Sequence, residues 1–415
     1  MKTFLSCSCL FVAACACAAT AAAQSTGGPG APPEEPQSRE VGAGVAAGPG
    51  PLARAFSWAK TRMDGASTPH DGFYPEIGGM IPGAGLSAGP GYRHRLFGGA
   101  AIVDASAALS WHRYQMMQSQ LTWPRLLDDR LAVGGQVRYQ DFTQINFFGI
   151  GNGSLKSNQT DYRLKDLDAL GFATVRANAW LSITGRTGLL RRVGIARGTS
   201  TRHPSAGDLF DKTSAPGLTE QPDYLHADVA MDVDTRDVPG YPSRGGRYRV
   251  SMAMFHDQDF ARYSFRRVEA YAAQWVPLGR SVVALRGRMD LSQTGDGQDV
   301  PFYLLPTLGG SSSLRGYLDY RFRDRDLLLL GAEWRWPILR HVDAALFYDA
   351  GTIAPAARAL SRPLRTDYGA GIRVHSATRM LVRLDVARGQ EGTRALLSIS
   401  APLSLPSRTV APYVP

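Results

Sequence analysis

The side chains able to do chemistry in this chain are mainly arginines and carboxylates. The eight histidines form no His-Glu-x-x-His pair, no Gly-x-Ser-x-Gly elbow occurs, and no Gly-rich Lys-Ser/Thr loop is present to cradle a phosphate. Nothing supports catalysis, and the expectation is a non-enzyme with no metal and no cofactor. Asp232, Asp234 and Asp237 are close enough together to suggest a cation site, but two alternate along one strand and the third opens a turn. The remaining constellation is Leu308-Gly309-Gly310-Ser311-Ser312-Ser313-Leu314-Arg315-Gly316-Tyr317. The planar fork of an arginine holds a carboxylate through two N–H bonds and keeps its charge. Each such bond contributes about 1.5–3 kcal/mol when desolvated and less in a wet setting. Gly309, Gly310 and Gly316 permit turns closed to other residues. Taken alone, the segment reads more simply as an exposed loop carrying Arg321, Arg323 and Arg325.

The elements that would position these residues are strands. Beyond residue 70 the hydrophobic period is two: Tyr248, Val250, Met252 and Met254 alternate with Arg247, Arg249, Ser251 and Ala253. The same holds for Leu225 to Asp234 and for Val283 to Leu291, and later for Leu328–Trp336, Val342–Asp349, Asp367–Val374 and Met380–Val386. Glu333, Asp349, Arg373, Arg383 and Asp385 fall on the polar face. A soluble sandwich also alternates. Charge rows repeated in strand after strand, with Trp111, Trp123, Trp180, Trp275, Trp334 and Trp336 at or near strand ends, fit instead an apolar exterior, a polar lumen and interfacial girdles. The expected fold is all-β: a transmembrane antiparallel β-barrel of about 16 strands, with eleven before residue 300 and five after residue 325. Its range is 71–402, followed by a tail over 403–415.

The N-terminus sets the compartment. Lys2, an apolar run from Phe4 to Ala18 and Ala21-Ala22-Ala23 before Gln24 form a secretory signal peptide over 1–23. All four cysteines lie within it, so the mature chain is expected to have no disulfide. Val12-Ala13-Ala14-Cys15 resembles a lipobox, which would leave a lipidated Cys15 instead; the apolar run continuing past Cys15 favours cleavage after Ala23. Residues 24–70 read as a disordered leader rich in Gly, Pro and Ala, with Leu52, Phe56, Ala59 and Met63 on one face of a short amphipathic helix. The 45 glycines and 26 prolines suit many turns. A net charge of +10 without a Lys/Arg block interleaved with aromatics excludes nucleic acid as the expected partner.

Four stretches resemble, in order, the BamA/TamA-type barrel superfamily, also called bacterial surface antigen barrels. Phe147-Phe148-Gly149-Ile150-Gly151-Asn152 is similar to its early Gly-rich loop. Asp234-Thr235-Arg236-Asp237 through Gly245 is similar to its strand end and Pro-x-x-Gly turn. Leu314-Arg315-Gly316-Tyr317 is similar to its hallmark loop tetrad, and Phe347-Tyr348-Asp349-Ala350-Gly351 to its Phe-x-Asp-x-Gly strand. The likeness covers roughly residues 71–402. It implies a long loop after strand eleven that folds into the lumen, where Arg315 binds an inward acid of the next two strands, Glu333 or Asp349.

The resemblance implies a protein that assists insertion or translocation of proteins at the outer membrane. Its expected partners are outer-membrane lipid, unfolded or secreted client chains and a separate periplasmic partner. Familiar members carry POTRA domains ahead of the barrel, whereas only residues 24–70 stand here between Ala23 and the first strand, so a POTRA-less member is expected. The last strand also lacks a terminal aromatic. A first strand containing Gly78, Gly79, Gly83 and Gly85 is expected to pair weakly with the last. The rival reading is a passive, porin-like channel or a structural outer-membrane protein, with a lumen set by rings of Arg and Asp.

Overall fold

Alternation of apolar and charged residues becomes the two faces of one rolled sheet. In the computed structural model, which describes residues 71–78, 80–361 and 363–399, the strands are β1 (Gly72–Gly78), β2 (Ser87–Leu96), β3 (Ala101–Ser110), β4 (Gln115–Leu126), β5 (Leu131–Phe147), β6 (Thr160–Arg176), β7 (Leu181–Arg197), β8 (Tyr224–Asp234), β9 (Gly245–Asp257), β10 (Phe265–Leu278) and β11 (Ser281–Thr294). A long loop carrying the two-residue strands β12 (Thr307–Leu308) and β13 (Phe322–Arg323) follows. Then come β14 (Asp326–Leu339), β15 (Val342–Ala354), β16 (Arg365–His375), β17 (Met380–Gly389) and β18 (Gly392–Ile399). Sixteen strands form one sheet in sequence order, each antiparallel to its neighbour, with eleven before the loop and five after it. The expected signal peptide, leader, amphipathic helix and tail lie outside the described residues.

Side-chain burial follows the pleat. On β8, His226, Asp228 and Ala230 are buried, while Leu225, Val229 and Met231 between them are exposed; on β9, Ser251, Ala253 and Phe255 are buried while Val250, Met252 and Met254 are exposed. An apolar band facing outward and a charged interior is the inverse of a water-soluble sheet, and it suits lipid. The rolling is visible in contacts that cross the interior: Asn152, beyond the end of β5, donates to Thr352 of β15 at 3.3 Å and accepts from Arg365 of β16.

Two expectations are corrected. Strands β5, β6 and β7 each have 17 residues, longer than the expected Leu131–Asp141, Leu170–Ala179 and Gly188–Ala196. About 9–11 residues suffice to span a bilayer, so these strands continue past it. There the pattern inverts: Tyr162 and Leu164 of β6 turn inward and are buried, and Phe142, Ile145 and Phe147 of β5 join them beneath the long loop with Phe302, Tyr303 and Tyr320. The alternation expected of a lipid-facing strand therefore stops where the strand does not. Second, Gly83 and Gly85 belong to the β1–β2 turn, with φ of +80° and +73°, so the strand contributes fewer glycines than expected.

The tryptophans divide by face. Trp111 and Trp180 are exposed at strand ends and Trp334 stands outward 4.8 Å from Trp336. Trp275 departs from the expected girdle: it lies on the inward face of β10 beside Tyr271 and Ala273, lining the interior.

Candidate functional site

The loop between β11 and β14 runs back into the barrel because its ends are held. β12 pairs with β13 through Thr307–Arg323 and Leu308–Phe322, and Leu308, Leu314, Tyr317 and Phe322 bury their side chains together with Leu327, Leu329 and Ile353 of the wall. The tip turns at Gly309 (φ +115°) and Gly310 (φ +91°); a Cβ on Gly309 would lie 2.1 Å from the Leu318 carbonyl oxygen. Gly316 is required for a different reason: its Cβ would stand 2.5 Å from the Gly389 nitrogen and 2.7 Å from Asp367 Cβ, so only glycine lets the loop lie against β16 and β17. Tyr317 next to it is fully buried, its hydroxyl donating to the Thr366 carbonyl at 3.3 Å.

These constraints seat Arg315 on the wall. Its Nε donates to Asp349 Oδ2 at 2.7 Å and one terminal nitrogen to Glu333 Oε2 at 3.0 Å, while its guanidinium lies over the Phe347 ring at 3.4 Å. Both acids implied by the resemblance are thus used, and Phe347 adds a cation–π contact. The charge pattern extends further. Arg373 donates to Glu333 at 2.8 Å and to Asp385 at 2.6 Å, and Arg286 donates to Asp349 at 2.8 Å and to the Ser312 and Ser313 carbonyls. Arg286, Arg373 and Asp385 were not assigned to the lock from sequence, although inward alternation marked all three. Replacing such a network by apolar groups is often neutral, whereas removing one member strands buried charge at about 3–5 kcal/mol. The network therefore fixes where the loop sits more than it stabilises the fold.

The early Gly-rich loop meets the hallmark loop. The Gly151 amide donates to the Arg323 carbonyl, Arg321 lies over Phe148 at 4.8 Å and bonds Ser154 and Glu391, and Arg323 bonds Tyr162 and the Phe302 carbonyl. Arg321 and Arg323 are buried, so the loop is not the exposed Arg-rich segment that the tetrad alone suggested.

The strand-end motif lies at the opposite, short-turn end. Asp234 accepts from Arg236, and Asp232 from Arg247 and Arg249. Asp237 accepts from the Ser243 hydroxyl and from the Val238, Ser243 and Arg244 amides. These carboxylates serve arginines and a turn. Gly245 has φ +88° and no room for a Cβ beside the Thr235 carbonyl. The turn folds inward, stacking Tyr241 on His375 at 4.3 Å and bonding its hydroxyl to Asp343 at 2.7 Å.

The Omp85 superfamily domain matches residues 95–394, the greater part of the chain. The chain belongs to the Omp85 superfamily. The match encloses the loop, both acids and the strand-end motif. The structure of BamA from Haemophilus ducreyi lacking POTRA domains 1–3 is similar in fold, with a TM-score of 0.58 at 16% identity over 79% of this chain and 70% of that one. CdiB from Escherichia coli is similar at a TM-score of 0.52 and 12% identity, over 80% of this chain but only 62% of CdiB. No curated protein matches the chain in sequence. Membership of the Omp85 superfamily places this barrel in the outer membrane.

Proposed function

We propose that this Omp85 barrel assists the insertion or translocation of client proteins at the outer membrane, without chemistry of its own. The observation that carries the reading is the seating of Arg315 on Asp349 and Glu333: an interior closed by a chain segment held through breakable ion pairs is suited to controlled passage and ill suited to free diffusion. Its fold, similar to BamA and CdiB, supports the same reading. The clients are unfolded or secreted chains, delivered by a separate periplasmic partner.

Reconstitution into planar bilayers and proteoliposomes tests this. Wild type should be closed or conduct in brief, rare openings, should open on Arg315→Ala, and should accelerate folding or uptake of an added outer-membrane client. A large, stable wild-type pore with no effect on clients would establish the passive channel instead.

A further inference from the structure

Between the tip of the long loop and the inward-folded turn lies a partly open chamber of about 190 Å³. Its walls carry Arg286, Arg315, Arg335, Arg373 and Arg383 against one carboxylate, Glu333, with Tyr241, Tyr271 and Trp275 completing it. Four of the five arginines are matched. Arg286 and Arg315 share Asp349, Arg315 and Arg373 share Glu333, and Arg373 and Arg383 flank Asp385. The remaining nearby acid on β15, Asp343, is engaged by Tyr241 and His375.

Arg335 is the exception. It is 6% exposed, its Nε meets no acceptor among the described residues, and its guanidinium lies on the face of the Tyr241 ring, with the guanidinium carbon 4.0 Å from the ring centre. No carboxylate lies within ion-pair distance of it among the described residues, yet a guanidinium has five N–H donors and cannot shed its charge. A buried, unpaired cation is costly unless something compensates it, and here it faces a chamber lined by further cations.

We propose that this chamber is an oxyanion-binding site, taking phosphate or carboxylate on the fork of Arg335 in the field of Arg286 and Arg383, between the aromatic walls of Tyr241 and Tyr271. The planar fork matches two oxygens of such an ion, and the ring beneath holds it in plane. The chamber shares a wall with the loop lock through Arg286, Arg315, Glu333 and Arg373, but Arg335 itself makes none of the lock's ion pairs. It does not depend on the proposed transport role.

Titration of the purified full-length protein in a zwitterionic detergent tests the site, using inorganic phosphate and, separately, acetate against chloride at constant ionic strength. Tryptophan fluorescence and the unfolding midpoint are read together. Both oxyanions should bind saturably and raise the midpoint with the logarithm of concentration, phosphate the more strongly. Arg335→Gln should weaken binding by about tenfold or more, as expected for loss of a charge-assisted bond, while Arg358→Gln, on an outer loop, should leave it unchanged. If Arg335→Gln does not fold, Arg335→Lys takes its place and must weaken binding by a smaller factor. The absence of a saturable response in wild type, or equal binding by the Arg335 variant, overturns the proposal.

Discussion

Arg286 and Arg315 donate to the same oxygen, Asp349 Oδ1, at 2.8 and 3.3 Å, although one belongs to the wall strand β11 and the other to the loop. Asp349 is completely buried, so it is the joint through which wall and loop are tied. Asp349→Asn should therefore take the shared acid from both arginines, leaving Arg286 with the Ser312 and Ser313 carbonyls alone and Arg315 with Glu333, and cost about 3–5 kcal/mol. Arg286→Gln should cost less, about 1.5–3 kcal/mol, because Arg315 still satisfies the acid. Denaturant midpoints in detergent would rank the two, and the opposite order would show that the wall arginine is the main tie.

Gly316→Ala should unseat the loop with every charge intact. The new methyl group meets backbone at the Gly389 nitrogen, and neither strand can yield without breaking its ladder. Bilayer recordings should then resemble Arg315→Ala, with long openings, and protease should reach residues 311–318. A closed, protected Gly316→Ala protein would mean that the loop rests less closely on β16 and β17.

The outward face of β8 should behave as lipid-facing. Val229→Arg, near the middle of its strand, should destabilise the membrane-embedded barrel by about 2–4 kcal/mol, while Leu278→Arg at a strand end should cost about 0–1 kcal/mol. Equal, small effects in refolding titrations into lipid would contradict that orientation.

The strand-end turn should loosen in acid. Burial acts to raise the Asp237 carboxyl, but the Ser243 hydroxyl and three backbone amides outweigh it and bring its pKa down to about 2. A folded-state value below the ordinary one of about 3.9 means that the stabilisation is present above that range and is lost as pH falls through 2. Hydrogen exchange at the Val238, Ser243 and Arg244 amides, corrected for intrinsic rates, should speed up between pH 4 and 2 in wild type. Asp237→Asn should exchange faster already at pH 6 and show a flatter profile.

Much of this architecture was legible because lipid on one side and a charged interior on the other impose a strict period of two. That period gave the strand count and the inward faces of Glu333 and Asp349, while the family resemblance implied the long loop after strand eleven. It failed where its physical cause ends. Tyr162 and Leu164 pack inward above the bilayer, so β6 begins ten positions before the expected Leu170. Trp275 has the composition of a girdle residue but the parity of an interior one. Arg373 and Asp385 carried the right parity, yet no sequence rule says which inward charges meet across a lumen, since that depends on the curvature of the whole sheet. Tyr241 gave no sign of reaching Arg335, which lies 94 positions away in sequence and on another strand.

The few residues after Arg315 reach toward both ends of the sheet. Tyr317 offers its carbonyl to Arg394 of β18, Asp319 stands 3.6 Å from the same arginine, and the Tyr320 hydroxyl donates to the Pro82 carbonyl just beyond β1. One short peptide thus touches the last strand, β18, and the turn that leads out of the first, β1, while its neighbour plugs the interior. Withdrawing Arg315 should therefore pull on that peptide, and moving the first and last strands apart should pull on Arg315. In the proposed role, passage of a client through the barrel and any parting of its first and last strands would be mechanically linked through this one latch.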